Sequence, residues 1–133
     1  MQLDKLGTLL VRTYTAGDAY PVENAIVRVR GAMEENAFIE YSFLTDRDGI
    51  TEKISLPTTS LEYSQSPNPP EQPYALYDVE VIKEGYYPKR IYNIAIFENN
   101  STTLPVNMIP LEDGVSYPQD TLESYLFENP NLE

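Results

Sequence analysis

Apolar and polar residues alternate along most of this chain, in short runs broken by turn residues roughly every 8 to 15 positions. A period of two lines one face of a strand with apolar side chains, whereas a helix needs a period near 3.6. The first run, Thr8 to Tyr14, sets Leu9, Val11 and Thr13 on one face. The second, Ala25 to Arg30, opposes Ala25, Val27 and Val29 to Arg28 and Arg30. The third, Phe38 to Thr45, opposes Ile39, Tyr41 and Phe43 to Glu40 and Ser42. Ile50 to Leu56 is the fourth, stopped by Pro57. The fifth, Tyr77 to Lys83, turns Tyr77, Val79 and Val81 inward against Asp78, Glu80 and Ile82. Tyr86 to Phe97 is the sixth region, with Pro88 marking an edge or bulge. In the seventh, Thr102 to Ile109, Leu104, Val106 and Met108 share a side, and Pro105 points to an edge strand. The pattern predicts an all-β fold, an antiparallel β-sandwich or barrel with one buried and one wetted face per sheet.

The connections carry turn chemistry. Gly17-Asp18, Asp46-Arg47-Asp48-Gly49, Glu84-Gly85 and Glu98 to Ser101 read as turns, and Gly31 to Asn36 as a polar break. Gly49 is the natural residue for a positive φ in its turn. Residues 58–74 form a long irregular segment, because Pro67, Pro69, Pro70 and Pro73 exclude a helix or a central strand. A connection of that length in a compact domain is a candidate contact element. After Leu111 the composition changes. Glu112, Asp113, Asp120, Glu123, Glu128 and Glu133 face no Lys or Arg there. Asp120 or Thr121 could cap one short helical turn carrying Leu122, Tyr125 and Leu126 on one face. The expected division is a sandwich over 1–111 and an acidic C-terminal tail over 112–133.

Composition excludes whole classes of chemistry. The 133 residues suit one domain and include no His, no Cys and no Trp. The common zinc sites, Ser-His-Asp triads, Cys-His pairs, haem and iron–sulfur clusters therefore have no ligands or nucleophile partners here. With 21 acidic against 9 basic residues the net charge is -12, which opposes nucleic acid and anionic membrane surfaces. No apolar window approaches the ~18 residues of a membrane span, so membrane insertion is not expected. No cofactor is expected. The N-terminus shows no signal-peptide pattern, and the chain reads as cytoplasmic, or as a piece of a spore or cell-envelope protein whose signal lies elsewhere.

Several segments in order carry a family resemblance. They are Gly7 to Thr13, Pro21 to Val29, Leu44 to Thr51 and Ile54 to Pro57, then Tyr77 to Val81, Lys83-Glu84-Gly85-Tyr86-Tyr87-Pro88, Ile94 to Phe97 and Val106 to Leu111. The chain resembles the carboxypeptidase regulatory-like domains, transthyretin-like (prealbumin-like) sandwiches, and the resemblance implies a seven-stranded antiparallel Greek-key β-sandwich. The Glu84 to Pro88 and Asn107 to Leu111 segments are most similar to the accessory domain of clostridial spore cortex-lytic enzymes. The resemblance spans roughly residues 5 to 111 and implies a non-catalytic module with no family catalytic residues to carry over. Related domains in Gram-positive surface proteins can form a Lys–Asn isopeptide bond beside a buried carboxylate. Lys5 and Asn107 raise that question, but Glu80 faces outward beside inward Val79 and Val81, so no such bond is expected.

The remaining candidates are weaker as chemistry. A calcium loop with Gly49 at its sixth position would begin at Leu44 and end at Ser55, neither a carboxylate. A looser site could use Asp46 and Asp48, against the simpler reading of a strand-connecting turn. Acidic pairs are too common among 21 carboxylates to single out a glycosidase acid and base. The 11 tyrosines say more. Tyr41 and Tyr77 fall on core faces, while Tyr20, Tyr63, Tyr74, Tyr86, Tyr87, Tyr92, Tyr117 and Tyr125 fall in loops, edges or the tail. Tyr offers a rigid apolar plate with a polar tip, suited to glycan or peptide contact. Tyr63 and Tyr74 on the 58–76 loop, with Tyr86 and Tyr87 in the next turn, make the predicted binding surface. The expected role is a non-enzymatic accessory or interaction module in a bacterial cell-envelope or spore-wall setting, contacting peptidoglycan, another glycan or a protein. The alternatives are a structural protomer of an assembly, phage-like or surface-exposed, and a small carbohydrate-active enzyme. The sequence leaves the oligomeric state open.

Overall fold

A computed structural model describes residues 3–16, 19–60 and 73–111. Tyr63, most of the 58–74 segment, the Gly17-Asp18 turn and the acidic tail with its helical cap lie outside the described residues. The strands are β1 (Lys5–Thr15), β2 (Tyr20–Pro21), β3 (Ile26–Gly31), β4 (Glu40–Leu44), β5 (Ile54–Thr58), β6 (Ala75–Ile82), β7 (Lys89–Ile96) and β8 (Ser101–Asn107). They form two sheets that face each other as a sandwich. In the first, β1 is central, with β8 on one side and β5 and β2 on the other. The second runs β4-β3-β6-β7, antiparallel throughout.

The core is the set of residues that the alternation places inward. Leu9, Val11, Val27, Val29, Tyr77, Val79 and Val81 have at most 1% of their surface exposed. Complete burial of a Val or Leu contributes about 1.5–3 kcal/mol, so β1, β3 and β6 carry much of the stability. Thr13 joins the same row, and its hydroxyl is shared between the Val22 and Gly49 carbonyls at 2.8 and 3.1 Å. Hydroxyls also tie the two sheets at one end of the sandwich. The Tyr77 hydroxyl donates to the Pro57 carbonyl at 2.6 Å, and Thr58 Oγ1 donates to the Ile96 carbonyl at 2.6 Å. Carbonyls on β5 and β7 thus accept hydroxyl protons from the opposite sheet.

Several local expectations change. β8 runs parallel to β1, from Thr8↔Ser101 to Tyr14↔Asn107. The short turn after β7 delivers β8 to the first sheet beside the start of β1, where Thr8 N–H donates to Asn100 O at 2.9 Å. A period of two is the same for either strand direction, so the pattern is silent on this point. The fourth run begins later, at Ile54. Thr51 is instead buried in a loop, exchanging bonds with Val11 through its Oγ1 and its N–H, both at 3.0 Å. Ile82, expected outward, is 3% exposed. Tyr41 keeps the inward parity of Val29, its partner in register, yet is 41% exposed because β4 is an edge strand with a neighbour on one side.

The polar break after Gly31 contains a 3-10 turn, Glu34–Asn36. Its Asn36 is fully buried, accepting Met33 N–H at 2.8 Å and donating to the Leu76 carbonyl at 3.0 Å. Gly49 has φ +78°, as expected. The carboxylate of Asp46 accepts the N–H groups of Asp48 and Ile50 at 2.9 and 3.0 Å. That is the bonding of a turn, and it occupies one of the two carboxylates that a cation would need. Lys5 and Asn107 stand at opposite ends of β1, Lys5 beside Thr58 and Asn107 beside Tyr14.

Candidate functional site

The predicted tyrosine surface divides between the two ends of the second sheet. Tyr74 immediately precedes β6 and packs on Phe97, ring centroids 5.4 Å apart and tilted. Tyr86 and Tyr87 lie beyond the other end of β6, in the turn to β7. An eight-residue strand spans roughly 26 Å, so Tyr74 and Tyr86 cannot share one small ligand. Tyr86 packs half-buried against the core and bridges to Pro110, while Tyr87 N–H donates to the Ile109 carbonyl at 2.9 Å. Both tie the β6–β7 turn to the segment after β8, closing that end of the sandwich.

A concavity lies elsewhere, on the outer face of the second sheet. It is a shallow cleft of about 180 Å³. β3 contributes Arg28 and Arg30, β4 Glu40, β6 Asp78 and Glu80, and β7 Arg90 and Tyr92. These are the outward positions of the same alternation that fills the core, brought side by side by strand pairing. Arg28 pairs with Glu80 in register across β3 and β6 and with Ser42 across β3 and β4. Its guanidinium reaches Glu40 at 2.6 Å and Glu80 at 3.8 Å. Glu80 also receives Arg90 Nε at 2.8 Å. Glu80 is thus the hub of a chain of opposite charges across all four strands. Such partly buried, multiply hydrogen-bonded pairs are held more rigidly than isolated surface pairs.

Tyr92 reaches the cleft through a β-bulge. Pairing between β6 and β7 shifts register between Tyr77 and Val79, where β7 carries an extra residue. Asn93 sits there with φ +59°. A bulge bends the strand and re-aims a side chain. Tyr92 is 61% exposed at the rim. The lining holds three guanidiniums (Arg28, Arg30, Arg90) and three carboxylates (Glu40, Asp78, Glu80), so its formal charge is zero within a chain of net charge -12. Alternation alone marks Arg28, Arg30, Glu40, Asp78 and Glu80 as outward but assigns no face to Arg90, and only the order β4-β3-β6-β7 brings the lining together. Among the described residues no group of three or more His, Cys, Asp or Glu could hold a metal ion, and no helix is long and apolar enough to cross a membrane.

No family model and no curated protein matches the chain. Solved structures do. The chain is similar to part of the Bacillus anthracis TIE protein, with a TM-score of 0.54 and 16% identity over 80% of this chain and 17% of that one. It is also similar to catechol 1,2-dioxygenase from an Acinetobacter species, inhibited by bound mercury, with a TM-score of 0.54 and 14% identity over 84% of this chain and 55% of that one. Catechol 1,2-dioxygenase from Pseudomonas arvilla gives 0.52 and 10%, over 90% and 60%. The chain spans less than two thirds of each. These likenesses show a shared fold. It is a two-sheet β-sandwich.

Proposed function

We propose that this chain is a non-catalytic binding module, that the outer face of its second sheet is the contact surface, and that the ligand is a neutral polar one, a glycan. The observation that carries the reading is the charge balance of the cleft. An acidic protein that lines such a cleft with equal numbers of rigid donors and acceptors favours neither an anion nor a cation. Sugar hydroxyls both donate and accept, and they match alternating guanidinium and carboxylate groups, with Tyr92 as an apolar plate at the rim. Glu40 and Glu80 each stand within 2.8 Å of a guanidinium. That commitment to ion pairs supports binding over acid–base catalysis. The resemblance to cortex-lytic accessory domains supports a bacterial cell-envelope or spore-wall setting, with peptidoglycan fragments as the first ligands to try.

The test is calorimetric titration with peptidoglycan fragments and neutral oligosaccharides, using wild type, Tyr92→Ala, Tyr74→Ala and Tyr86→Ala. Binding that Tyr92→Ala weakens about tenfold or more, and that the other two variants leave intact, supports the cleft. Loss on Tyr74→Ala or Tyr86→Ala alone moves the site to an end of the sandwich. A wild-type protein that binds none of these ligands overturns the glycan reading.

A further inference from the structure

Every open sheet edge can recruit another strand, and proteins usually guard such edges with proline, charge or a bulge. Among the described residues the first sheet is guarded on both sides. Pro105 lies in β8, Pro57 in β5 and Pro21 in β2. In the second sheet β7 carries Lys89, Arg90 and the bulge at Asn93. β4 has no proline, no Lys or Arg and no bulge. Its sequence is Glu-Tyr-Ser-Phe-Leu, and it pairs with β3 without interruption from Ile26↔Leu44 to Arg30↔Glu40. Its single charge, Glu40, is neutralised by Arg28 at 2.6 Å. Tyr41 and Leu44 within it and Phe38 just before it are exposed by 41%, 59% and 81%.

The ladder shows which backbone groups are open. Gly31 N–H donates to Ile39 O, and Thr45 N–H to Ala25 O, both at 3.0 Å. In an antiparallel ladder the bonded residues alternate, so Ile39, Tyr41, Phe43 and Thr45 turn their N–H and C=O toward β3. Those of Glu40, Ser42 and Leu44 point away from the sheet.

We infer that β4 is a self-association edge, and that a second copy of this chain pairs with it antiparallel about a two-fold axis at Ser42. The register is what selects a second copy as the occupant. Centring on Ser42 sets Glu40 opposite Leu44 of the other copy, and Tyr41 opposite its Phe43. All three outward-facing residues of each strand then find bonded partners. Tyr41 and Phe43 form close, non-hydrogen-bonded cross-strand pairs on the core side, where aromatic pairs contribute most. The alternative two-fold at Glu40 would set like charges directly opposite, and that at Leu44 would leave Glu40 without a partner. The two four-stranded sheets would become one continuous sheet. This association goes beyond the binding reading and does not depend on it.

The experiment is sedimentation velocity of the full chain from micromolar to high micromolar concentration, at low and high salt. The expected species has twice the 15.1 kDa chain mass and is favoured by salt, because screening weakens repulsion between two copies of charge -12. Leu44→Lys and Ser42→Pro each install a guard without removing a bond to β3, so both are expected to sediment as monomers with wild-type circular dichroism. Leu44→Lys, at an exposed position, keeps the test valid if the proline variant misfolds. The chain has no cysteine, so Ser42→Cys under mild oxidation reports the register. It is expected to form a covalent dimer, while Glu40→Cys, four positions per pair out of register, stays largely uncrosslinked. A wild type that remains monomeric at every concentration, a dimer that Leu44→Lys leaves intact, or equal crosslinking of the two cysteine variants overturns the inference.

Discussion

Asp78 Oδ1 accepts a hydrogen bond from the backbone N–H of Asn93 at 2.9 Å, across the bulge between β6 and β7. The bulge breaks the ladder, and the Asp78 carboxylate takes the place of the missing strand partner. Asn93 occupies a left-handed conformation, φ +59°, that Asn tolerates better than most residues. This pair therefore sets where Tyr92 stands at the rim of the cleft.

Asp78→Ala should cost about 1 kcal/mol in urea denaturation and speed hydrogen exchange at the Asn93 amide. Asp78→Asn, which keeps an acceptor, should recover much of the loss. Wild-type exchange at Asn93 in the alanine variant would show that the carboxylate does not hold the bulge.

Burial pushes the Tyr77 hydroxyl up to about 12 from an ordinary 10, with the nearby Tyr41 adding to the rise and a hydrogen bond from Asn36 opposing it. The folded state thus holds the proton more tightly than the unfolded chain. The resulting stability is fully present below pH 10 and is lost as pH rises toward 12, by roughly 2–3 kcal/mol in all. Denaturation midpoints measured from pH 9 to 12 should fall steeply. Tyr77→Phe should flatten the Tyr77 contribution to that slope while lowering stability at neutral pH, since the Pro57 carbonyl loses its donor.

Two turn glycines separate conformational strain from steric clash. Gly49 and Gly85 both have positive φ, +78° and +90°. A Cβ on Gly49 would run into the Thr13 carbonyl oxygen, whereas one on Gly85 would meet nothing within 4 Å. Gly85→Ala should cost about 1 kcal/mol, the strain alone. Gly49→Ala should cost clearly more, because the obstructing atom is backbone in the central strand. Equal thermal shifts for the two variants would refute the distinction.

Asn36 is a polar residue serving as a buried strut. Asn36→Ala removes the acceptor of the Met33 N–H and one of the two donors to the Leu76 carbonyl, which keeps the Ala32 N–H, for a loss of about 1–2 kcal/mol. Asn36→Asp should be no milder, because a carboxylate cannot donate to the Leu76 carbonyl. Chemical denaturation of the two variants checks the order, and an aspartate variant as stable as wild type would contradict it.

The inward faces of β1, β3 and β6 were legible from spacing alone. Leu9, Val27 and Val79 are where the alternation puts them, since side-chain parity is a local property of extended backbone. Tyr77 and Tyr41 show where that legibility stops. Both have inward parity, yet Tyr77 is central and fully buried, and Tyr41 lies on an edge and is 41% exposed. Parity does not say how many neighbours a strand has. Tyr74 and Tyr86 lie in connections, and the run between them already sets them at opposite ends of β6. Asn36 gave no signal, because its partners are backbone groups of its own turn and of a strand 40 positions away.

What the sequence by itself determined is the local layer: extended runs, their buried and wetted faces, the Gly49 turn, and the lack of His and Cys that removes much metal and nucleophile chemistry. Tertiary structure alone decided which runs are neighbours. It laid β8 parallel to β1, gathered Arg28, Glu80 and Arg90 into one charge-balanced cleft, and, among the described residues, left β4 at one edge of its sheet. The physical reason is that strand pairing joins backbone groups that are chemically alike at every residue. Alternation therefore writes the faces of a sheet into the sequence, while the order of its strands emerges only when both faces are packed at once.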